Sequence, residues 1–218
     1  MRSRSSFLGV LLALLMMFGL PGCGGGDSGS PAEPSTPNQP PSGSFTVSPG
    51  TIALMSCTIL TFSASGSDPE GSGLTYSWVF GDGNTGSGQT VVHTYGSAGS
   101  FTVTLTIRDS GGATGTSSQT ITVKSIAGQW SDADPRWTLE FTQNGPGFSG
   151  TVYFGPYGHI SNIEAGILSD PRNLTFFRRA THWWSYQDTY DGEFDQTLDR
   201  ITARPRNQSC CTFTLTRR

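Results

Sequence analysis

Apolar side chains alternate with hydroxyl-bearing ones along most of this chain. A period of two residues is the pattern of pleated strands with one face in a core and the other in water. Leu60, Phe62 and Ala64 alternate with Thr61 and Ser63, and Leu74, Tyr76, Trp78 and Phe80 with Thr75, Ser77 and Val79. Phe101, Val103, Leu105 and Ile107 alternate with Thr102, Thr104 and Thr106, and Ile121 and Val123 with Thr120 and Thr122. Segments rich in Gly, Ser and Asp (Gly66–Gly73, Gly81–Gly88, Asp109–Gly115) punctuate the runs. Strands this short and this frequent over about 80 residues predict a two-sheet sandwich at 44–125.

The rhythm returns at 126–218. Trp137, Leu139 and Phe141 share a face, as do Phe148, Gly150, Val152 and Phe154, then Ile163, Ala165 and Ile167. Leu174 with Phe176, Tyr186 with Tyr190, Ile201 with Ala203, and Cys211 with Phe213 and Leu215 continue it. This predicts seven strands and a short one at Ala127–Ser131. Short connections favour antiparallel neighbours, and such a meander tends to curl into a closed barrel that removes its edges. The expected class is all-β: a sandwich followed by a small antiparallel meander barrel.

Ahead of these units lie a basic start (Arg2, Arg4), an apolar run of 14 residues from Phe7 to Leu20, and Pro21-Gly22-Cys23. That is the pattern of a signal peptide over 1–22, and the run is shorter than the ~20 residues of a membrane-spanning helix. Leu20-Pro21-Gly22-Cys23 resembles the bacterial lipobox. The resemblance implies that Cys23 is lipidated and anchors the protein to a membrane of the cell envelope, by default the outer membrane, since Gly24 and not Asp follows it. Residues 24–43 hold almost nothing apolar and read as a tether, the lipid-linked segment being 23–43. Its reach is roughly 25–60 Å between coil and extended forms.

Without residues 1–22 the chain carries 11 basic and 16 acidic residues, a net charge of −5. No basic face is available to displace counterions from phosphates, so nucleic acid is not an expected partner.

Trp78-Val79-Phe80-Gly81-Asp82-Gly83, followed by His93-Thr94-Tyr95 and Ala98-Gly99-Ser100-Phe101, is similar to the signature of the polycystic-kidney-disease (PKD) domain, usually Trp-Asp-Phe-Gly-Asp-Gly. Val79 is the one departure. The resemblance implies an immunoglobulin-like sandwich that serves as a spacer or adhesive module and brings no chemistry of its own. In physical terms Trp78 and Phe80 are core anchors, Gly81 and Gly83 permit positive φ, and Asp82 closes the turn. Tyr95 is expected near the opposite end, and His93 as a packed turn residue. Asp68, Glu70, Asp82 and Asp109 could gather on Ca²⁺, but their spacing matches no calcium loop, so no metal and no cofactor is expected.

In the second unit Gly128-Gln129-Trp130 and Arg217 resemble the Gly-x-Trp and closing Arg of small lipocalin-like barrels. In that family the Trp plugs one end and the Arg lies across it. His182, Trp183, Trp184, Tyr186 and Tyr190 form the densest aromatic cluster and are the candidate binding platform for a carbohydrate or a protein partner, against the blander reading of core and edge packing. The densest acids are Asp188, Asp191, Glu193, Asp195 and Asp199, which solvated strand faces and a hairpin turn explain more readily than a cation site. If Cys23 is lipidated, Cys57, Cys210 and Cys211 leave room for one disulfide, either Cys57 to one of the adjacent pair or a vicinal bridge.

No nucleophile elbow, zinc-protease, P-loop or dinucleotide motif occurs, and His93, His159 and His182 stand far apart. The leading expectation is a non-catalytic envelope binding module, with the sandwich as spacer and the barrel as head. The alternatives are a carrier of a small apolar ligand and a polysaccharide hydrolase with paired acids such as Asp188 and Glu193.

Overall fold

In the computed structural model, residues 36–133, 137–155, 159–168, 172–180, 187–206 and 212–218 are described, and every regular element among them is a strand. The first unit is a sandwich of two sheets. One sheet orders β1 (Ser42–Ser48), β3 (Leu60–Ser67) and β6 (Thr90–His93). The other orders β2 (Ile52–Leu54), β8 (Thr114–Lys124), β7 (Gly99–Asp109), β4 (Leu74–Val79) and β5 (Thr85–Ser87). The inward rows are the apolar rows of the alternation: Phe62, Trp78, Val103, Leu105, Ile107 and Ile121 are all 0–1% exposed. The short elements β2, β5 and β6 escape the pattern because so few residues cannot show a period. β5 falls inside the expected Gly81–Gly88 break, and β2 pairs in parallel with β8.

The chain joins this unit earlier than the expected tether boundary at residue 43. Asn38 donates its amide to both oxygens of Asp109 (3.3 and 3.0 Å), and Gln39 bonds Glu70 through its backbone and side-chain nitrogens (3.2 and 3.0 Å). The backbone of Pro41 runs against Gly115, where any side chain would meet its carbonyl. The remainder of the expected tether up to residue 35, with Cys23, lies outside the described residues.

The second unit is a closed eight-stranded barrel. Its order is β10 (Trp137–Asn144), β11 (Gly147–Phe154), β12 (His159–Leu168), β13 (Asn173–Ala180), β14 (Gln187–Phe194), β15 (Arg200–Pro205), β16 (Phe213–Arg217) and β9 (Gly128–Ser131). Closure is made by Thr216 opposite Ser131 and Arg217 opposite Trp130. Trp130, Leu139, Phe141, Phe148, Phe176 and Phe194 pack the interior.

One expected face does not survive. The register of β12 shifts between Ile163 and Ala165, an extra residue in the manner of a β-bulge. Beyond the shift the inward parity changes: Ile163, Gly166 and Leu168 are buried and Ile167 is 63% exposed. The strict period of two that joined Ile163 to Ile167 is broken by the fold.

Asn38–Arg218 is one compact unit, and the sandwich and barrel share apolar packing within it. Leu54 of β2, 1% exposed, belongs to the barrel's apolar cluster, and Cys57 packs against that cluster. Gln143 of β10 accepts hydrogen bonds from Ser125 Oγ and the Ile126 amide (both 2.8 Å) and donates to the Met55 carbonyl (3.3 Å). Lys124, the single lysine of the chain, binds the Thr197 carbonyl (2.7 Å) and Asp199 (2.5 Å) across the junction.

Candidate functional site

The residues of the sandwich motif come together, and what they build is a closed turn. Trp78 donates its indole N–H to the Gly88 carbonyl at 2.8 Å while its ring fills the core. Gly81 and Gly83 have φ of 85° and 94°. At Gly81 a Cβ would also stand 2.8 Å from the Thr102 carbonyl, so geometry and space both demand glycine. Asp82 accepts from the Asn84 amide (3.1 Å), the Asn84 side chain (3.0 Å) and His93 Nε2 (2.7 Å). The His93 ring stacks on Phe80 at 4.2 Å and meets the edge of Tyr95 at 4.6 Å. Tyr95 corrects an expectation: it packs at this turn and not at the opposite end, with its hydroxyl donated to the Phe80 carbonyl at 2.9 Å. Burial, with the Asp82 charge nearby, pushes its phenol well above the usual range. Replacing Tyr95 by Phe strands the Phe80 carbonyl and is expected to cost about 1 kcal/mol in a urea titration.

Burial works against the charge on Asp82, but the bonds from Asn84 and His93 outweigh it and hold the carboxyl below its ordinary range. A group whose pKa falls on folding contributes fully above its unfolded value, near pH 4, and the contribution is lost as acid carries the pH through the folded value. Asp82→Asn is therefore expected to flatten the acid limb of stability below about pH 4 and to leave the shape of the profile above it unchanged. Urea midpoints across that interval check this.

The other acids of the sandwich are spent separately. Asp68 caps the Ser72 amide (2.8 Å), and Asp109 takes the Ala113 amide (2.9 Å) along with Asn38. Among the described residues no group of three or more His, Cys, Asp or Glu could hold a metal ion.

At the sandwich-facing rim of the barrel, Trp130 is fully buried and donates to the Ile126 carbonyl at 2.8 Å. The Arg217 guanidinium lies 4.7 Å over its ring, binds the Ala127 and Ser125 carbonyls, and stands 3.6 Å from Asp199. The Trp plug and the Arg across it thus occupy the positions the resemblance implied, and here they also fasten the linker between the units. Gln143, Lys124 and Leu54, which complete the junction, carry no sequence motif.

The aromatic platform is resolved only in part. Tyr190 is buried inside the barrel, stacked on Phe176 at 5.1 Å and 9°, so it is a core residue and not an exposed contact. His182, Trp183, Trp184 and Tyr186 lie outside the described residues, as do Cys210 and Cys211. The strand ends that flank the first group, Ala180 and Gln187, are at the barrel rim remote from the sandwich. Described interior side chains pack ring against ring, the arrangement of a filled barrel more than of an apolar carrier.

Cys57 is a free thiol, and burial pushes its pKa up. It sits at the sandwich-facing rim, whereas Arg206 and Phe213, which flank the Cys210–Cys211 pair, end their strands at the other. The partners of the expected bridge, Cys210 and Cys211, lie outside the described residues.

Asp188 and Glu193 lie five residues apart on β14, roughly 16 Å along the strand backbone. The other barrel acids are engaged. Asp191 receives Arg206 in a bidentate pair (2.9 Å twice) and Thr175 (3.0 Å). Asp195 caps the turn to β15 through Thr197, Asp199 and Arg200.

Residues 47–124 match the family model of the PKD domain. A microbial collagenase of Vibrio alginolyticus is 39% identical over 70 residues, which is 32% of this chain and 9% of that protein. The pre-pro-metalloprotease PrtV of Vibrio cholerae is 30% identical over 133 residues, 50% of this chain and 14% of that one. The crystal structure of the PKD1 domain of Vibrio anguillarum Epp is 29% identical, covering 40% of this chain and 98% of that chain at a TM-score of 0.35. The chain spans 9–14% of the length of these two curated relatives.

Proposed function

We propose that the PKD domain at residues 47–124 is the spacer, and the barrel behind it the recognition head, of a non-catalytic binding module held on the bacterial cell envelope by a lipid on Cys23. One observation carries the reading: the sandwich receives the chain at one pole and releases it at the other. Pro41 adjoins Gly115 at the start of β8, and the chain leaves toward the barrel after Lys124 at the end of the same strand. The run from Gly115 to Lys124 at about 3.3 Å per residue sets these poles roughly 30 Å apart. A rigid body threaded in this way holds the segment before it apart from the domain after it. The junction through Leu54, Gln143, Lys124 and Arg217 keeps the head from swinging freely. The free rim, to which Ala180 and Gln187 lead, faces away from the spacer, and the segment between them holds Trp183 and Trp184.

Absence of a catalytic constellation among the motifs of the sequence agrees with a module that binds and does no chemistry. The proteases that share the PKD stretch share only that small part of their length, so their activity is not carried over.

Two measurements test the reading. Radiolabelled palmitate should enter the full chain and be lost in Cys23→Ser, with the variant released from the membrane fraction. Equal labelling of both would remove the anchor from the proposal. On glycan and cell-surface protein arrays, Trp183→Ala/Trp184→Ala should lose at least about tenfold of the binding shown by the parent, the scale of one or two aromatic contacts. A parent that binds nothing on either array would remove the recognition role.

A further inference from the structure

We infer a second binding site, for a neutral pyranose sugar, on the outer wall of the barrel. It goes beyond the rim reading and uses different residues. A hollow of about 230 Å³ opens on strands β13 to β15 and the approach to β16. Register defines its walls. Asn173, Glu193 and Thr202 stand in one cross-strand row, and Asp191 and Arg204 in the next, with Thr212 at the side. Tyr190 and Phe194, of opposite parity on β14, are buried, so the outward side chains project from a braced, two-sided sheet. Positions on strands hold ligand groups more firmly than positions on loops.

The chemistry of the lining selects the ligand. Asp191 is already committed: Arg206 bonds it through two nitrogens and Thr175 through its hydroxyl. The Arg206 bonds, against the opposing effect of burial, hold its carboxyl below the usual range. Glu193 and Arg204 are different. They bear opposite charges on adjacent strands: Arg204 stands opposite Asp191 in register and acts on that carboxyl by charge, and Glu193 lies one row away on the same face. The Glu193 carboxylate and the Arg204 guanidinium beside one hollow offer two acceptor oxygens and a planar fork of donors. Vicinal hydroxyls of a pyranose both donate and accept, and they can bridge such a pair with charge-assisted bonds at each end. The hydroxyls of Thr202 and Thr212 add groups of the same dual character.

Charge balance argues for a neutral ligand. The carboxylates of Asp191 and Glu193 are matched in number by Arg204 and Arg206, so the surroundings carry no excess that would draw a sulfated or phosphorylated group. Among the described residues that line it the groups are polar, so hydrogen bonds orient the sugar, and single-ring binding is weak. Its size suits one ring.

The test is a titration of the isotopically labelled chain, processed to begin at Cys23, with glucose, galactose, mannose and N-acetylglucosamine, followed by amide and side-chain NMR shifts. At least one sugar should shift the resonances of Glu193, Thr202 and Arg204 with millimolar affinity. Glu193→Gln and Arg204→Met should each weaken that binding about tenfold or more, the scale of one charge-assisted hydrogen bond. Both side chains are exposed, so the melting temperature should stay put. Trp183→Ala/Trp184→Ala should leave this binding intact, which separates it from the rim. The assignment is overturned by silence with all four sugars, by unchanged affinity in both wall variants, by loss in the rim variant, or by a stronger response to a zwitterionic amino acid than to any sugar.

Discussion

Trp130→Ala is expected to lower the melting temperature of the full chain by roughly 10 °C. The ring is fully buried and sits between Phe141 (6.3 Å) and Phe194 (6.2 Å) with Arg217 above it. Truncating a buried Trp costs about 3–5 kcal/mol through lost transfer energy and the cavity left behind. For a folded unit of this size each kcal/mol moves the midpoint by about 2–4 °C. The loss is compounded at the junction. The Ile126 carbonyl loses its donor, and the Arg217 charge loses the ring face that covered it. Differential scanning calorimetry reads the effect directly. A shift under about 2 °C would mean that the barrel end is held by something other than this plug.

Leu54→Ala should destabilise the barrel although Leu54 is a strand residue of the sandwich. Its side chain is 1% exposed and packs with the barrel cluster that includes Ile126, Trp130 and Leu139. The expected cost is about 2–5 kcal/mol. The informative quantity is which transition moves. Shared packing, the Gln143 bonds and the Lys124 clamp predict one cooperative unfolding of both units, shifted as a whole. Differential scanning calorimetry counts the transitions in the otherwise unaltered chain, and far-ultraviolet dichroism reports both units. Two separate transitions, with the barrel's unmoved by Leu54→Ala, would show that the junction is contact without coupling.

Much of the fold is legible in the sequence because alternation is a local property. Leu105 and Thr106 differ in burial for a reason carried by neighbouring positions alone: adjacent side chains on a strand point to opposite faces. Trp78, Gly81 and Asp82 can be assembled from order and spacing, since their contacts are made within one turn and its neighbouring strands, whereas Tyr95, expected at the opposite end, reaches this turn only through the tertiary fold. Trp130 and Arg217 are matched across 87 residues only through a family likeness. The misreadings have an equally physical origin. Ile167 turns outward because one added residue in β12 resets every later position, and no composition marks that residue in advance. Tyr190 groups with Trp183 and Trp184 by proximity in sequence, but a strand residue of inward parity goes to the core whatever its neighbours in the chain.

The candidate sites divide along the same line. Cys23 and the aromatic run are sequence features and need no fold to be noticed. The wall hollow has no signature, because Asn173, Glu193, Thr202 and Arg204 come from three strands separated by turns and align only once register is set.

The all-β class and the eight strands of the barrel come from the chain alone, because which side of a pleat is greasy depends on nothing beyond the next residue. Tertiary structure decides the rest: that Leu54 serves the barrel, that Lys124 and Arg217 fasten the units, and that Glu193 and Arg204 share a hollow. Each of these is a meeting of residues distant in sequence, and only closure of the sheets brings them within reach.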